Sequence, residues 1–242
     1  KQGEELAAWK KQKKKEELAA WKNIFHESLN DGERKQCMEK LHLVAWASYS
    51  GHAGVVTDLL QNGGDPNAPS ASGRNALMHA AGKGHADIVE VLASDERTEL
   101  NATDPAGRTA LLMAATLGHE DVVKVLLSKQ AVRDGIDITD SAENTALTWA
   151  AVGGHHAVME LLTNNGAHID QTNSAGTTAL LLAAVQNDLE TLRVLVRLGA
   201  DPNAGRRHFI KRRNVRTEVN RTALWYAAAD GFLPIVKCLV EN

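Results

Sequence analysis

The chain has 242 residues, 43% of them apolar, and a formal net charge of −3. That is enough apolar material for a buried core, and no run of it approaches the roughly 20 residues that a membrane helix needs. The charge is segregated: residues 1–22 hold seven Lys and four Glu, residues 205–221 hold seven Lys or Arg and one Glu, and removing +3 and +6 from −3 leaves −12 for the rest. An acidic body of this kind excludes general affinity for a phosphate backbone.

In chain order, the first 22 residues contain "EELAAWK" twice, at 4–10 and 16–22. An offset of 12 residues turns the second copy by about 120° on a helix. Leu6, Trp9, Leu18 and Trp21 then spread over half the cylinder and make no heptad seam. The segment reads as a lysine-rich helical extension of engineered origin, outside functional reasoning. Residues 23–41, "NIFHESLNDGERKQCMEKL", read as a helical cap that covers the residues from 42 onward.

From residue 42 a single frame recurs. It appears as "HLVAWASYSGHAGVVTDLL" (42–60), "NALMHAAGKGHADIVEVL" (75–92), "TALLMAATLGHEDVVKVLL" (109–127), "TALTWAAVGGHHAVMELL" (145–162), "TALLLAAVQNDLETLRVLV" (178–196) and "NRTALWYAAADGFLPIVKCLVEN" (220–242). The frame residue is Val44, Leu77, Leu111, Leu147, Leu180 and Leu224, at gaps of 33, 34, 36, 33 and 44. Seven residues later stands Gly51, Gly84, Gly118, Gly154, Asn187 or Gly231. Each copy predicts two short helices: the first runs through an Ala-Ala pair and stops at the glycine, the second carries V-x-x-L spacing, and a turn such as "LGADPNA" closes the unit. Asn187 is the next-best residue to glycine for a left-handed stop. One such unit cannot bury its apolar face, but stacked units can. After "CLVEN" the frame predicts a further turn, so the end reads as a cut within a longer protein.

The period, the "GH", the "VLL" and the "GADPNA" tail together resemble the ankyrin-repeat family over residues 42–242. The resemblance implies an all-α solenoid of six repeats, each a helix pair with a β-hairpin finger. Its Thr-Pro-Leu-His appears here with Ala76, Ala110, Ala146, Ala179 and Ala223 for Pro. Met78, Leu112, Thr148, Leu181 and Trp225 stand for His. It also implies a non-catalytic module that binds a partner protein segment in a concave groove, built from the finger tips and the two residues before each glycine. Carried onto this chain, those positions give Tyr49, Lys83, Leu117, Val152 and Gln186 before the glycines, and Arg74, Arg108 and Asn144 on the fingers. Trp149 is added as an exposed aromatic anchor beside Val152. Trp46, Trp149 and Trp225 are otherwise expected to pack between inner helices.

Catalytic and metal constellations are not found. His52, His85, His119 and His155 recur at the repeat period, which predicts capping and inter-repeat hydrogen bonds. His155 and His156 are adjacent, so on a helix they point about 100° apart. Cys37 and Cys238 lack the spaced partners zinc needs, and lie too far apart in the array to pair, which suits a reducing compartment. No metal, no cofactor, no small-molecule substrate and no enzyme activity are expected, and the expected setting is the cytoplasm or the nucleus. The last finger carries the sharpest deviation, eleven residues beyond a normal unit, in "GRRHFIKRRNVRTEVN" (205–220). Arg206, Arg207, Lys211, Arg212, Arg213 and Arg216 crowd what reads as one loop, with Phe209 among them as a stacking platform. This gives an alternative function: recognition of an acidic ligand, whether a phosphate-bearing molecule, nucleic acid or acidic peptide.

Overall fold

The Thr or Asn ahead of the frame leucine in the second to sixth copies is where a helix begins. Asn75, Thr109, Thr145, Thr178 and Thr222 each sit in extended backbone and accept a hydrogen bond from the N–H three residues on. Such a cap satisfies a helix-start donor that has no other partner and stabilises by about 1 kcal/mol. Alanine fills the first helical position each time, a good helix former that loses nothing by standing where the family has proline. The computed structural model describes residues 43–212 and 215–241, with backbone alone over 205–212 and 215–221. The extension read over 1–22, the cap read over 23–41, Cys37 and Arg213 lie outside the described residues.

The chain divides into two compact units, one to Pro105 and one from Ala106. The first holds α1 (Leu43–Tyr49), α2 (Ala53–Gln61), α3 (Ala76–Lys83) and α4 (Ala86–Ala93). Inner helix α1 packs on α3 and outer helix α2 on α4. The second holds α5 (Ala110–Thr116), α6 (Glu120–Leu127), α7 (Gln130–Asp134), α8 (Ala146–Val152), α9 (His156–Asn164), α10 (Ala179–Val185) and α11 (Leu189–Arg197). Strands β1 (Gly205–Arg212) and β2 (Val215–Thr222) and helices α12 (Ala223–Ala229) and α13 (Leu233–Glu241) complete it. Inner helices α5, α8, α10 and α12 pack in that order, while α9 packs on α6 and α13 on α11. Short helix α7 follows the outer helix of its repeat, in the 36-residue unit that is two or three residues longer than its neighbours.

Each inner helix stops as the glycine pattern predicts. Gly51, Gly84, Gly118, Gly154 and Gly231 have φ between 66° and 80°, and Asn187 has 56°. The next residue then donates its N–H back five positions, as in His85 to Ala80 (3.0 Å), Asp188 to Ala183 (2.9 Å) and Phe232 to Ala227 (2.8 Å). This closes the free carbonyls of the helix end. At Gly51 a second constraint appears: an added Cβ would lie 3.0 Å from the His85 ring of the next repeat. The "GH" histidines do not cap by their side chains, contrary to expectation. His155 instead donates from Nε2 to the Thr116 carbonyl of the preceding repeat (3.2 Å), which is the inter-repeat bond expected. The Ala doublets Ala80–Ala81, Ala114–Ala115, Ala150–Ala151 and Ala183–Ala184 are at most 2% exposed. Their small side chains admit close packing, and Leu77, Leu112, Leu147, Leu180, Leu192 and Leu195 fill the space around them.

The fingers are tight turns. Ser70 donates to Arg74 O (2.8 Å), Asp140 to Asn144 O (3.0 Å) and Asn173 to Thr177 O (3.1 Å). Each tip needs a left-handed residue, supplied by Gly73, Gly107 and Gly176, and in the fourth repeat by Glu143 at φ 61°. Within the second unit, successive turns join through Ser141 N–H to Ala106 O (2.9 Å) and Ser174 N–H to Ala142 O (3.0 Å). On the outer side, Asp137 accepts from His168 N–H (3.1 Å) and Asp170 from Asp201 N–H (3.0 Å), while Asp65 and Asp201 accept within their own turns.

The surplus read as a basic loop over 205–220 is an antiparallel hairpin. It is in register from Gly205↔Thr222 through Arg206↔Arg221 and Lys211↔Arg216 to Arg212↔Val215. Phe209 and Ile210 in β1, and Val215, Thr217, Val219 and Thr222 in β2, carry a β propensity that prevails over the charges. A strand alternates its faces, so the register divides the basic positions: Arg206 and Arg212 share one parity, Arg207 and Lys211 the other. Arg216, opposite Lys211, shares the second. Phe209 stands opposite Glu218.

Candidate interaction surface

The residues before each glycine end the inner helices, and the finger turns lie next to the starts of the same helices. In the second unit Leu117 is 53% exposed, Val152 37% and Val185 44%. Val152 and Val185 occupy the same place in consecutive repeats, and Leu117 stands one position later in the repeat before them. Gln186 beside Val185 is exposed too. Their neighbours in the frame, Leu111, Leu147 and Leu180, are at most 4% exposed, so the exposure is a property of these positions and not of a loosely packed core.

Beside these residues the third finger, over Asp140–Asn144, is braced from within. Asp140 Oδ1 accepts from the N–H groups of Ala142 and Asn144, both at 2.9 Å. Its Oδ2 accepts from the Trp149 indole at 2.8 Å. Burial alone would raise the Asp140 pKa, but the hydrogen bonds from Asn144, Trp149 and Ala142 outweigh it and hold the carboxyl below its ordinary value. Trp149 is therefore half-buried with its N–H committed, and Asn144 is drawn into the stack by Asn173, which donates Nδ2 to Asn144 Oδ1 at 3.0 Å. Arg108 is half-buried at the base of its own finger.

In the first unit the same positions carry different chemistry. Tyr49 is 48% exposed and Lys83 is exposed. Arg74 points Nε at Asp104 across 3.4 Å, with the Asp104 side chain 1% exposed. The structure thus brings Tyr49 and Lys83 to one face, and engages Arg74 within the unit.

Two residues stand where sequence reasoning did not put them. Trp46 is 52% exposed and Trp225 42%, although both were expected to pack. The Trp225 position is buried in the other repeats, as Met78, Leu112, Thr148 and Leu181, because a following inner helix covers it; no later repeat covers it among the described residues. The packing expectation treated the last copy like the others. A further residue, His79, was not singled out. Its signal was the frame position it shares with Trp149, since both reach the first residue of their own finger: His79 Nε2 and Ser70 Oγ share a 2.9 Å hydrogen bond.

On the outer helices a cleft of about 550 Å³ lies between α11 and α13, lined by Arg193, Arg197, Lys237 and Cys238. Its cations stand beside Glu190, Glu160 and Glu241, so it presents little net charge. Among the described residues no group of three His, Cys, Asp or Glu could hold a metal, and no helix is long and apolar enough to cross a membrane. The side chains of Arg206, Arg207, Phe209, Lys211, Arg212 and Arg216 are not among those described.

Comparison with known proteins agrees with this geometry. A family model described as ankyrin repeats (3 copies) matches residues 41–141 and again 129–206. No match is found among the curated proteins compared. The fold is similar to the crystal structure of the ankyrin repeat domain of Bcl-3, a member of the IkappaB protein family. The TM-score is 0.73 at 23% identity, covering 82% of this chain and 85% of that one. Because 505 solved chains match, the likeness speaks for architecture and not for a particular partner. With the family model spanning most of the chain, and its caps, left-handed stops and buried alanines all in place, the chain belongs to the ankyrin-repeat family.

Proposed function

We propose that this protein, an interaction module by family, is non-catalytic and holds a segment of a partner protein against the ends of its inner helices, on the groove side. The observation that carries the reading is the row Leu117, Val152 and Val185, apolar and exposed on consecutive repeats whose cores are otherwise closed. Exposed apolar side chains standing singly need no explanation, but three at the ends of consecutive inner helices support a binding surface. Trp149, held in place by Asp140, adds a rigid aromatic edge beside it, of the kind that interface hot spots favour.

The test is site-specific photocrosslinking. A benzophenone side chain at Val152 or Val185 should capture a defined partner, one at Lys124 on outer helix α6 should not, and Leu117→Asp with Val185→Asp should abolish capture while the circular dichroism spectrum is retained. Equal capture from Lys124 sinks the reading. The rival reading, an acidic ligand on the 205–222 hairpin, is favoured by the register that sets Arg206 opposite Arg221 and Lys211 opposite Arg216. It predicts binding that falls steeply with salt and is lost in Arg212→Gln/Arg216→Gln, with the apolar row intact.

A further inference from the structure

On the inner face of the first unit, side chains from two repeats converge. The Lys83 ammonium lies 4.3 Å from the centroid of the Tyr49 ring. The His79 ring meets the same ring edge-on, at 5.6 Å and 86°. Ser70 holds His79 from the finger, and Arg74 stands at the base of the same turn with Asp104 as its partner.

The cation of this cluster has an aromatic ring where other cations have a carboxylate. Arg97, Lys124, Arg193, Arg197 and Lys237 each stand beside a carboxylate. Among the described residues Lys83 meets none, and its ammonium rests on an aromatic ring instead. Arg74 and Asp104 offset one another. His79 is held neutral at pH 7 by burial first, and then by the nearby charges of Arg74 and Lys83, all of which lower its pKa. One positive charge is left over, on an exposed side chain, with the hydroxyl of a half-exposed tyrosine beside it.

We infer that this cluster is a subsite for one acidic side chain, an Asp or Glu of the bound partner segment, with Lys83 as its charge partner and Tyr49 Oη and Arg74 as further donors. The inference rests on the reading of the inner-helix face as the partner-binding surface, and names the chemistry of that partner over the first unit. A carboxylate matches the single spare charge. A phosphate group carries up to −2 and would leave a negative charge uncompensated. The cation–π contact keeps the ammonium on this face before the partner arrives, which lowers the ordering cost of binding.

The probe is a capped pentapeptide of alternating alanine and glutamate, titrated into the labelled full chain and followed by NMR at His79 Cε1–H and Lys83 Nζ. The hairpin substitutions Arg212→Gln/Arg216→Gln form the background, so that the other basic segment does not compete. Glutamate peptide should move both signals saturably and raise the His79 pKa, and the glutamine counterpart should not. Lys83→Gln should weaken binding about fivefold, the scale of one exposed charge pair, and Lys83→Arg should restore it. The inference is overturned if the glutamate peptide leaves these signals still, if Lys83→Gln binds like the parent with an otherwise unchanged amide spectrum, or if a phosphoserine counterpart binds about tenfold tighter or more, which would assign the site to phosphate. Leu117→Asp/Val185→Asp should leave this titration intact. Failure of the parent chain to capture a partner from Val152 or Val185, with the titration preserved, therefore breaks the broader reading, and capture without the titration breaks only the subsite.

Discussion

The two units present the same backbone and different surfaces. At the ends of the inner helices the first unit offers Tyr49 and Lys83, a ring and a cation in contact, while the second offers Leu117, Val152 and Val185. Beneath both faces the frame is alike: Leu77 and Leu147 are buried, Ala80 and Ala150 are buried, and the helix stops at a left-handed residue. The repeat therefore separates two tasks by position. Frame residues close the core, and the residues just before the glycine are left free of that duty and vary in chemistry.

The comparison breaks most clearly if a surface position proves to carry stability. Leu147→Ala removes a side chain that is 1% exposed and should cost about 2–5 kcal/mol. Val152→Ala, five residues on, should stay within about 0.5 kcal/mol. Urea denaturation of both variants measures the contrast, and comparable losses would mean that the Val152 face is core and not a docking surface. Next in size is the cap. Thr178→Ala removes the acceptor of the Leu181 N–H, at 3.2 Å, and should cost about 1 kcal/mol, read as a lowered urea midpoint.

Much of this separation was legible in the sequence because it is periodic. The capping Thr, the Ala doublet and the left-handed stop lie within ten residues of one another, so local rules find them, and Asn187 at φ 56° occupies the place its pattern assigned. What lay beyond local rules depends on neighbours about 30 residues away. Asn144 looked like a free finger residue, but Asn173 of the next finger takes it. Tyr49 and Lys83 were singled out separately, and only the packing of α1 on α3 puts one over the other. The strands over 205–222 were masked by charge: seven Lys or Arg read as a loop, while Phe209, Ile210, Val215 and Val219 carried the strand signal.

A smaller effect sharpens the contrast between fingers. Glu143 takes the left-handed tip that Gly73, Gly107 and Gly176 take elsewhere. Relieving that conformation is worth about 1–2 kcal/mol, and the added freedom of the unfolded glycine returns about 0.4–1 of it. Glu143→Gly should therefore stabilise by about 0.5–1 kcal/mol in a thermal melt. If it destabilises, the Glu143 side chain makes a contact that offsets its strain.

The smallest effect concerns pH, and it distinguishes the first unit from the second. His79 has its pKa lowered by burial, and further by Arg74 and Lys83. Tyr49 from α1 and Ser70 from the finger complete its surroundings without adding charge at neutral pH. The folded state thus binds this proton less readily than the unfolded chain, whose histidine titrates near 6.5. As pH falls through that value the unfolded chain takes up more protons, and stability falls with it. The contribution is full above about pH 6.5 and is lost progressively below it. Asp140 in the second unit, with its pKa lowered, behaves the same way only in the window below about 3.9. Urea midpoints at about pH 7.5 and about pH 5.5 should therefore drop less in His79→Gln than in the parent. Asp140→Asn should leave that drop unchanged. An equal drop in the His79→Gln chain would show that the ring does not sense Arg74 and Lys83, and would remove the electrostatic basis for treating the Tyr49–His79–Lys83 cluster as one unit.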